Sequence, residues 1–295
     1  GITVSDAGQI SYKGQPIKNF YIEGLDLMKG RYGIATNNID PNSISTIEVL
    51  ENHQDIKALK DLKPEERASI NLKLKSGVKG VFNLIATLGG GYVDKLLWDN
   101  ELITTYFQRN SQLLATYKGN NSGTDLESEL RSHTDYDYSR TSTISDIAMP
   151  ATPGINKRYY YFNQSHSATY NQVFRVGKNG ELGINAAYLN DRDERSNQSV
   201  TTTLLPDGSK NVVDESFNGI LHRNIANGNI TYMQNTERNY IKEQLKFDWL
   251  STDGYSNIYA GEDIIQENNV ENYRLHNLFP VSYTHLRAHE TRSNL

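Results

Sequence analysis

The chain of 295 residues contains no cysteine and only three methionines. The absence of cysteine excludes a disulfide framework, a thiolate metal site and a cysteine nucleophile. The sequence has no apolar run of about 18 residues, so it predicts no transmembrane helix. It begins with Gly1-Ile-Thr-Val4, which has the pattern of a strand rather than of a signal peptide. For an exported protein, the absence of a signal peptide would mean that the N-terminal part is missing from this sequence.

Basic residues are also fewer than acidic ones. The chain has 30 Lys and Arg against 35 Asp and Glu, a net charge of −5, and the pI is about 5.8. A nucleic-acid partner would require a basic face, so none is expected. Neither a paired acid and base at a defined spacing nor a nucleophile elbow is found. The sequence accordingly predicts no catalytic residue, no metal site and no cofactor, and an enzyme ranks last among the functions considered.

Hydrophobic residues make up only 37% of the chain, and the mean hydropathy is −0.63. The 19 tyrosines favour β structure, because aromatic side chains fit a pleated, half-buried surface. A transmembrane β-barrel suits this composition, since one face of each strand meets lipid and the other meets water. Composition by itself favours a soluble, polar β-sandwich.

Long segments with period-two alternation begin after Gly80. The clearest lies in the segment 241–249, where apolar and charged side chains alternate. Such alternation predicts a sheet with one apolar and one wet face. In a barrel, the apolar face would contact lipid and the charged face would line the lumen. The apolar members of three such segments are Phe82, Leu84, Ala86 and Leu88; Leu182, Ile184, Ala186 and Tyr188; and Leu245, Phe247 and Trp249.

The connections between these segments alternate in length. Tight turns are predicted at 110–112, 177–180 and 235–238. The stretches 119–156 and 190–223 are long and polar, and the second contains a hairpin that turns at Pro206-Asp-Gly208. Short turns that alternate with long loops are typical of outer-membrane barrels. About seven or eight strands are expected, too few to close a large barrel.

Three shorter apolar strands precede this region: Phe20–Leu27 with its Tyr21-Ile-Glu-Gly24 segment, Ile44–Leu50 and Ala68–Lys75. Their order resembles the plug domain of TonB-dependent outer-membrane receptors, which carries a "YIDG" strand, an "IERIEVL" strand and a "GAINIITK" strand. Glu23 departs from the Asp of that pattern. The residues around Pro41 are expected to start a helix or turn, and Ile56, Leu59 and Leu62 have helical spacing.

The resemblance implies a small α/β plug domain followed by an antiparallel transmembrane β-barrel that is incomplete here. It places the plug at residues 1–75 and the first barrel strands at 76–279. The implied function is active uptake across the cell outer membrane, driven by the TonB complex of the inner membrane and its proton gradient. The implied partners are that complex, outer-membrane lipid and a small-molecule, glycan or peptide cargo. The alternative is a non-transporting surface or periplasmic β protein, such as an adhesin or a carbohydrate-binding module.

Few residues are candidates for a site. Arg31 and Tyr32 follow the first plug strand, and their position makes them candidate ligand-facing residues. Acidic clusters at Asp135–Asp137 and Asp191–Arg195 have oxygen ligands for calcium, although solvated loop charge is the interpretation that we favour. The aromatic run 158–162 is expected to belong to an interfacial girdle or to be structural, rather than to contact a ligand.

The C-terminal residues are expected to have a different origin. Val281 to Thr291 resembles the translation of a transposase adapter used in sequencing libraries, so we interpret residues 280–295 as a sequencing artefact. The segment contains His285, His289 and Glu290, a spacing that on a helix is used to bind zinc. We do not expect a metal site there. The gene fragment is expected to stop near Phe279.

Overall fold

The computed structural model describes residues 1–5, 8–60, 65–133 and 148–286. Within these residues the chain forms three β-sheets and one α-helix. No helix in the described ranges combines the length and apolar character needed to cross a membrane. Short 3-10 turns lie at Pro41–Ser43, Lys57–Leu59, Ser76–Val78, Ser128–Leu130 and Lys157–Tyr159.

Two small sheets and the helix make up the N-terminal unit, the name used here for residues 1–5, 8–60 and 65–78. In the first sheet, β1 (Ile2–Val4), β2 (Ile10–Tyr12) and β3 (Gln15–Pro16) are antiparallel. The second sheet contains β4 (Phe20–Ile22), β5 (Ile44–Leu50) and β6 (Ser69–Leu74). Its central strand β6 pairs in parallel with β4 and antiparallel with β5. Helix α1 spans Tyr32–Asn38.

The core of the N-terminal unit is apolar and almost completely buried. Strand β6 is buried along nearly its whole length, because it lies between β4 and β5. Helix α1 contributes Tyr32, Ile34 and Ala35, and the ring of Tyr32 stacks on Phe20 at 5.7 Å between centroids. The segment between β4 and α1 adds Leu25, Leu27 and Met28, each at most 1% exposed.

A two-residue turn ends β4. Ile22 and Leu25 exchange both backbone hydrogen bonds, at 2.9 and 3.0 Å, and the two residues between them, Glu23 and Gly24, have φ values of +50° and +78°. Two successive positive φ values are the requirement of a type I′ turn, which Gly meets without a steric cost. Glu23 is held in this conformation by its side chain, since Leu74 N donates to its carboxylate at 2.6 Å and Lys79 Nζ lies 3.0 Å away.

The third sheet has eight antiparallel strands joined in sequence order. They are β7 (Phe82–Tyr92), β8 (Leu96–Phe107), β9 (Ser111–Asn120), β10 (Phe162–Val176), β11 (Gly180–Leu204), β12 (Lys210–Asn235), β13 (Asn239–Ala260) and β14 (Asp263–Leu286). Each strand pairs with its neighbours in sequence, and the sheet is open, with β7 and β14 at its edges. The predicted antiparallel sheet is confirmed, as are the tight turns at 177–180 and 235–238. The turn expected at 110–112 lies at 108–110 instead, because Ser111 and Gln112 already belong to β9.

The two faces of this sheet have the opposite polarity to that of a water-soluble sheet. The inner face, which contacts the N-terminal unit, buries mostly polar side chains together with some apolar ones such as Leu189, Leu221 and Leu250, while the outer face exposes apolar side chains. On β13, Leu245 and Phe247 are 44% and 43% exposed, whereas Asp248 is 8% exposed. The buried polar residues of β9, β10 and β11 include Thr116, Asn120, Asn163, Ser165, Ser167, Thr169, Asn171, Asn185, Asp191 and Asp193.

The outer-face residues align across the strands. One row of directly paired positions runs Leu102, Tyr117, Ala168, Tyr188, Ala226, Trp249 and His276. The next row toward the tight turns runs Thr104, Ala115, Tyr170, Ala186, Gly228, Phe247 and Leu278. The next row in the other direction contains Asn190, Asn224 and Arg274. The outer face therefore carries an apolar band that ends toward the long connections.

Two further expectations need correction, and one helix was not predicted. The stretch 190–223 is not a loop: most of it belongs to β11 and β12, which pair continuously from Gly180 to Leu204 and turn at 205–209. Beyond Glu194, β11 pairs only with β12, so the hairpin projects past β10. The helical spacing at 56–62 yields only the turn Lys57–Leu59 in the described residues, and the helix that does form, α1, was not predicted.

Candidate functional site

The inner face of the sheet supports the N-terminal unit. Four apolar side chains of the sheet, Ile103, Phe107, Leu114 and Val173, belong to the same buried cluster as the core of the unit. All four lie at the end of the sheet nearest the tight turns. Burying these side chains against the unit stabilises the contact by removing apolar surface from water, at about 25 cal/mol per Å².

Polar side chains of the inner face reach the backbone of the unit. Gln112 Nε2 donates to the carbonyl of Ile22 at 2.7 Å, and Asn185 Nδ2 donates to the carbonyl of Leu27 at 2.9 Å. These carbonyls lie in the buried segment around the β4 turn, where an unsatisfied acceptor would be costly. The sheet therefore adds a second donor to the Ile22 carbonyl, which already accepts from Leu25 N within the unit, and supplies a donor to the buried Leu27 carbonyl.

The two sequence candidates lie at the start of α1, in different surroundings. Arg31 is half-buried, and its Nη1 donates to Asn227 Oδ1 on β12 at 2.5 Å. Tyr32 is 1% exposed and its ring packs between Phe20 and His133. Arg31 thus lies at the interface between the N-terminal unit and the inner face of the sheet, while Tyr32 is packed in the core of the unit in this conformation. Their role in contacting a ligand stays a prediction.

A buried ionic cluster lies at the end of the sheet where the long connection follows β9. Arg223 on β12 pairs with Asp191 on β11 at 2.6 Å and with Glu127 at 3.0 Å. Asp191 also accepts hydrogen bonds from Tyr161 Oη at 2.5 Å and from Ser165 Oγ at 2.6 Å. A buried charge requires such partners, since desolvation of an unpaired ion costs several kcal/mol.

This cluster corrects the interpretation of Asp191–Arg195 as solvated loop charge. Asp191 and Asp193 are 3% and 2% exposed and point inward from β11. Asp193 pairs with Arg195 at 2.5 Å, so both carboxylates have cationic partners within the protein. In the described ranges no group of three or more His, Asp or Glu side chains could hold a metal ion. Asp135, Asp137, His289 and Glu290, and the side chain of His285, lie outside the described residues.

The segment that follows β9 makes an ion pair with the sheet and hydrogen bonds with the N-terminal unit. Lys118 on β9 pairs with Glu129 at 2.8 Å, and Glu129 also accepts from the side chains of Asn37 and Asn38 on α1. His133 N donates to the carbonyl of Gly30 at 3.0 Å. Residues 129–133 of this connection therefore pack against α1.

In the aromatic run 158–162, Tyr161 is structural: its ring is buried and Lys157 Nζ lies 4.0 Å from the ring centroid.

A cavity of about 410 Å³ opens at the opposite end, between the N-terminal unit and the tight turns. The unit contributes Tyr21, Asp26 and Lys29 to its wall, together with the segment 53–57. The sheet contributes residues of β10, the 177–180 turn, β11, β12 and β13. Burial, with the nearby Asp26 carboxylate, raises the pKa of Tyr21 far above its ordinary value, so the phenol stays protonated. Cavities of this size are typical of small-molecule sites.

The two walls of the cavity are joined by direct contacts. Asn235 Nδ2 on β12 donates to the carbonyl of Asp55 at 2.6 Å, and Lys57 N donates back to Asn235 Oδ1 at 3.0 Å. Lys29 Nζ lies 3.7 Å from Glu181 on β11. The cavity is thus framed by contacts that would break if the unit left the inner face.

Sequence reasoning did not find most of this site. The inner-face residues Asn185, Asp191 and Arg223 are dispersed over strands that become neighbours only through the sheet register. The period-two alternation of Leu182, Ile184, Ala186 and Tyr188 places Asn185 on the other face of the same strand, and the structure has its side chain on that face. The alternation held no information on what would contact that face.

Comparison with known proteins gives no family. No family model matches the chain, and no curated protein matches it. Among solved structures, the alcaligin outer membrane receptor FauA from Bordetella pertussis is similar over 98% of this chain and 56% of its own, at 11% identity and a TM-score of 0.25. The copper transporter OprC is similar over 98% of this chain and 48% of its own, at 10% identity and a TM-score of 0.26.

A third solved structure is the ferric-catecholate import receptor Fiu from E. coli K12. It is similar over 95% of this chain and 62% of its own, at 8% identity and a TM-score of 0.20. The chain thus spans roughly half to three fifths of the proteins that it matches. With TM-scores this low, the function of the chain has to be inferred from its own residues.

Proposed function

We propose that this chain is the plug and the first barrel strands of a TonB-dependent receptor in the outer membrane. In this proposal the N-terminal unit is the plug, the eight-stranded sheet is part of the barrel wall, and the protein takes up a ligand by binding and conformational change without covalent chemistry. The observation that carries the proposal is the polarity of the sheet, apolar on its outer face and polar on its inner face.

The polarity supports a lipid environment for the outer face. A water-soluble sheet buries its apolar face and exposes its polar face, and large contiguous apolar patches are rare on soluble monomers. In an outer-membrane barrel the order is reversed. The outer-face residues from Leu182 to Tyr188 span about 20 Å of strand at roughly 3.3 Å per residue. That length is of the same order as the roughly 25 Å apolar band of such barrels.

The connection lengths support an orientation. In outer-membrane barrels the short turns face the periplasm and the long loops face outside. The turns after β8, β10 and β12 are short. At the other end of the sheet the connections after β7 and β13 are short as well, but the long connection follows β9 and the β11–β12 hairpin projects past β10. The buried ionic cluster around Arg223 would then lie toward the outside, and the cavity toward the periplasm.

The position of the N-terminal unit supports its role as a plug. It covers the polar inner face and is attached by single hydrogen bonds, such as those of Gln112 and Asn185, and by four apolar side chains. In our proposal the TonB complex supplies the work that breaks these contacts. Arg31 is proposed to face the ligand, and Tyr32 becomes accessible only when the unit moves. The cargo is a small molecule, glycan or peptide.

Extraction of expressed protein from cells tests the proposal. A protein of this kind should sediment with outer membranes, require detergent for release and migrate faster on gels before heating than after it. Release by salt or carbonate without detergent, together with heat-independent mobility, would instead favour a soluble surface or periplasmic β protein and would contradict the proposal.

A further inference from the structure

The residues that line the cavity at the tight-turn end carry a net positive charge, whereas the chain as a whole carries a net negative charge. Five cationic side chains and three carboxylates line it, which leaves an excess of two positive charges in a chain whose net charge is −5. The cations are Lys29, Lys57, Arg175, Lys178 and Lys242, and the carboxylates are Asp26, Asp55 and Glu181. A concave site lined by one sign of charge concentrates ligands of the opposite sign.

The carboxylates are already engaged with lysines. Lys18 Nζ lies 2.6 Å from Asp55, and Lys29 Nζ lies 3.9 Å from Asp26 and 3.7 Å from Glu181. Lys29 is shared by Asp26 and Glu181, and Lys18 is shared by Asp55 and Glu65, so these two lysines offset part of the negative charge of the cavity wall. The positive charge that remains is carried by other residues.

Three of the cations have no partner this close, although Arg175 lies directly opposite Glu181 across the β10–β11 pair. The side chains of Arg175, Lys178 and Lys242 make no hydrogen bond and no ion pair within 4 Å to any residue in the part of the chain that the structure describes. Arg175 and Lys178 are exposed at the rim, beside the 177–180 turn. Lys242 differs because it is half-buried on the inner face of β13, next to Tyr240. A half-buried ammonium without a partner is the group that an anion would stabilise most.

The remaining wall is suited to an organic molecule. Tyr21, Leu50, Met233 and Tyr240 supply aromatic and apolar surface to the cavity. Lysine and arginine side chains bind carboxylates and phosphates through charge-assisted hydrogen bonds, and arginine does so with two parallel bonds. The combination matches a small ligand with an apolar body and anionic oxygens.

We propose that the cavity between the N-terminal unit and the tight turns binds a small organic anion that carries carboxylate or phosphate groups, with Lys242 inside the cavity and Arg175 at its rim as the binding cations. The identification of this anion as cargo on the periplasmic side rests on the proposed function. The binding itself does not, because the cavity is formed by residues of this chain alone.

Calorimetric titration of the full chain, folded in a non-ionic detergent, tests the binding. Citrate is the carboxylate probe, inorganic phosphate is the phosphate probe and glycerol is the neutral control. We expect saturable binding of at least one of the two anions, weakened by added salt because charge dominates the attraction, and none of glycerol. Citrate binding would assign a carboxylate ligand, and binding of phosphate alone would assign a phosphorylated one.

Three variants locate the site. Lys242→Gln should weaken binding about tenfold, which corresponds to about 1.4 kcal/mol. Arg175→Gln, at an exposed position, should weaken it in the same direction without affecting folding. Lys246→Gln is the matched control, on the same face of β13 but outside the cavity, and should bind like the unaltered chain.

Absence of saturable binding of both anions would overturn the proposal, as would equal affinity in Lys242→Gln, Arg175→Gln and the unaltered chain. Folding of each variant is checked by its thermal transition in the same detergent. Membrane extraction is measured separately, so a failure of the anion site is distinguished from a failure of the proposed function.

Discussion

The side-chain amide of Asn185, on the inner face of β11, donates a hydrogen bond of 2.9 Å to the backbone carbonyl of Leu27 in the N-terminal unit. The same Nδ2 atom lies 2.9 Å from Asn171 Oδ1 on β10. Asn185 is 2% exposed and Leu27 is 1% exposed. One amide therefore joins two strands of the sheet to the unit that rests on them, in a place that water does not reach.

Asn185→Ala should destabilise this contact by about 1–3 kcal/mol, because it leaves the Leu27 carbonyl buried without a donor. Urea unfolding in detergent, followed by tryptophan fluorescence, measures the effect. Asn190→Ala is the control, since the Asn190 side chain donates to Asn224 on the outer face and touches no part of the unit. A loss of stability in Asn190→Ala as large as that in Asn185→Ala would contradict the assignment.

The Glu23 carboxylate gives the N-terminal unit an acid-sensitive contact. Burial alone would raise the pKa of Glu23, but the N–H of Leu74 and the ammonium of Lys79 favour the charged form, and the net effect is a pKa below the ordinary 4.5. A carboxylate with a lowered folded-state pKa contributes stability above the unfolded pKa and loses it as the pH falls through the folded value.

The contribution of Glu23 should therefore be present above about pH 4.5 and be lost below it. Glu23→Gln keeps an acceptor for Leu74 but removes the charge, so its stability should vary less between about pH 5 and pH 2. Urea midpoints of the two proteins across that range provide the measurement. Parallel pH curves for the two proteins would show that Glu23 is not responsible.

Substituting alanine at two glycines with positive φ distinguishes the cost of backbone strain from the cost of a steric clash of the added Cβ. Gly24 has a φ of +78° and open space where a Cβ would lie, while Gly123 has a φ of +88° and a Cβ there would lie 2.8 Å from the carbonyl oxygen of Arg158. Gly24→Ala should cost about 1–2 kcal/mol, the strain of a left-handed residue. Gly123→Ala should cost more, because the backbone must also move. Equal unfolding midpoints for the two variants would contradict this distinction.

Arg223 and Asp191 form a buried pair that can be compared with a more exposed pair on β11. Arg223→Met should destabilise the protein by about 3–5 kcal/mol, because Asp191 would remain buried without its cation. Arg192 pairs with Glu194 at 2.8 Å, and both side chains are substantially exposed. Arg192→Met should therefore change stability by less than about 1 kcal/mol. Similar losses in both variants, measured by urea unfolding, would show that the Arg223 cluster is solvated.

Much of the fold could be predicted from local patterns. The bounds of β5 are those expected from Ile44–Leu50, and the alternation in β11 and β13 assigned the faces of both strands. These predictions succeeded because a strand has a fixed period of two, so the pattern alone determines which side chains share a face. The turns at 177–180 and 235–238 were marked by Gly and Asn, residues that tolerate turn geometry.

The failures have a common physical origin. The segment 190–199 contains no apolar residue, so the pattern of the stretch 190–223 predicts a loop with only a short hairpin around Pro206-Asp-Gly208. Its backbone nevertheless pairs continuously, because the register of the hairpin extends past the neighbouring strands. Helix α1 lacks a side-chain cap and has only seven residues, so its stability comes from packing of Tyr32, Ile34 and Ala35 in the core. The partners of Asn185 and Arg223 depend on long-range register, which a single sequence does not specify.

Cysteine scanning of β13 in lipid bilayers tests the central claim, that the outer face of the sheet meets lipid, most directly. The chain has no cysteine, so single substitutions from Gln244 to Trp249 can each carry a polarity-sensitive fluorophore. We predict blue-shifted emission, quenched by lipid-borne spin labels, at 245, 247 and 249, and polar emission without such quenching at 244, 246 and 248. Emission typical of water at 245, 247 and 249, with no alternation, would contradict the account.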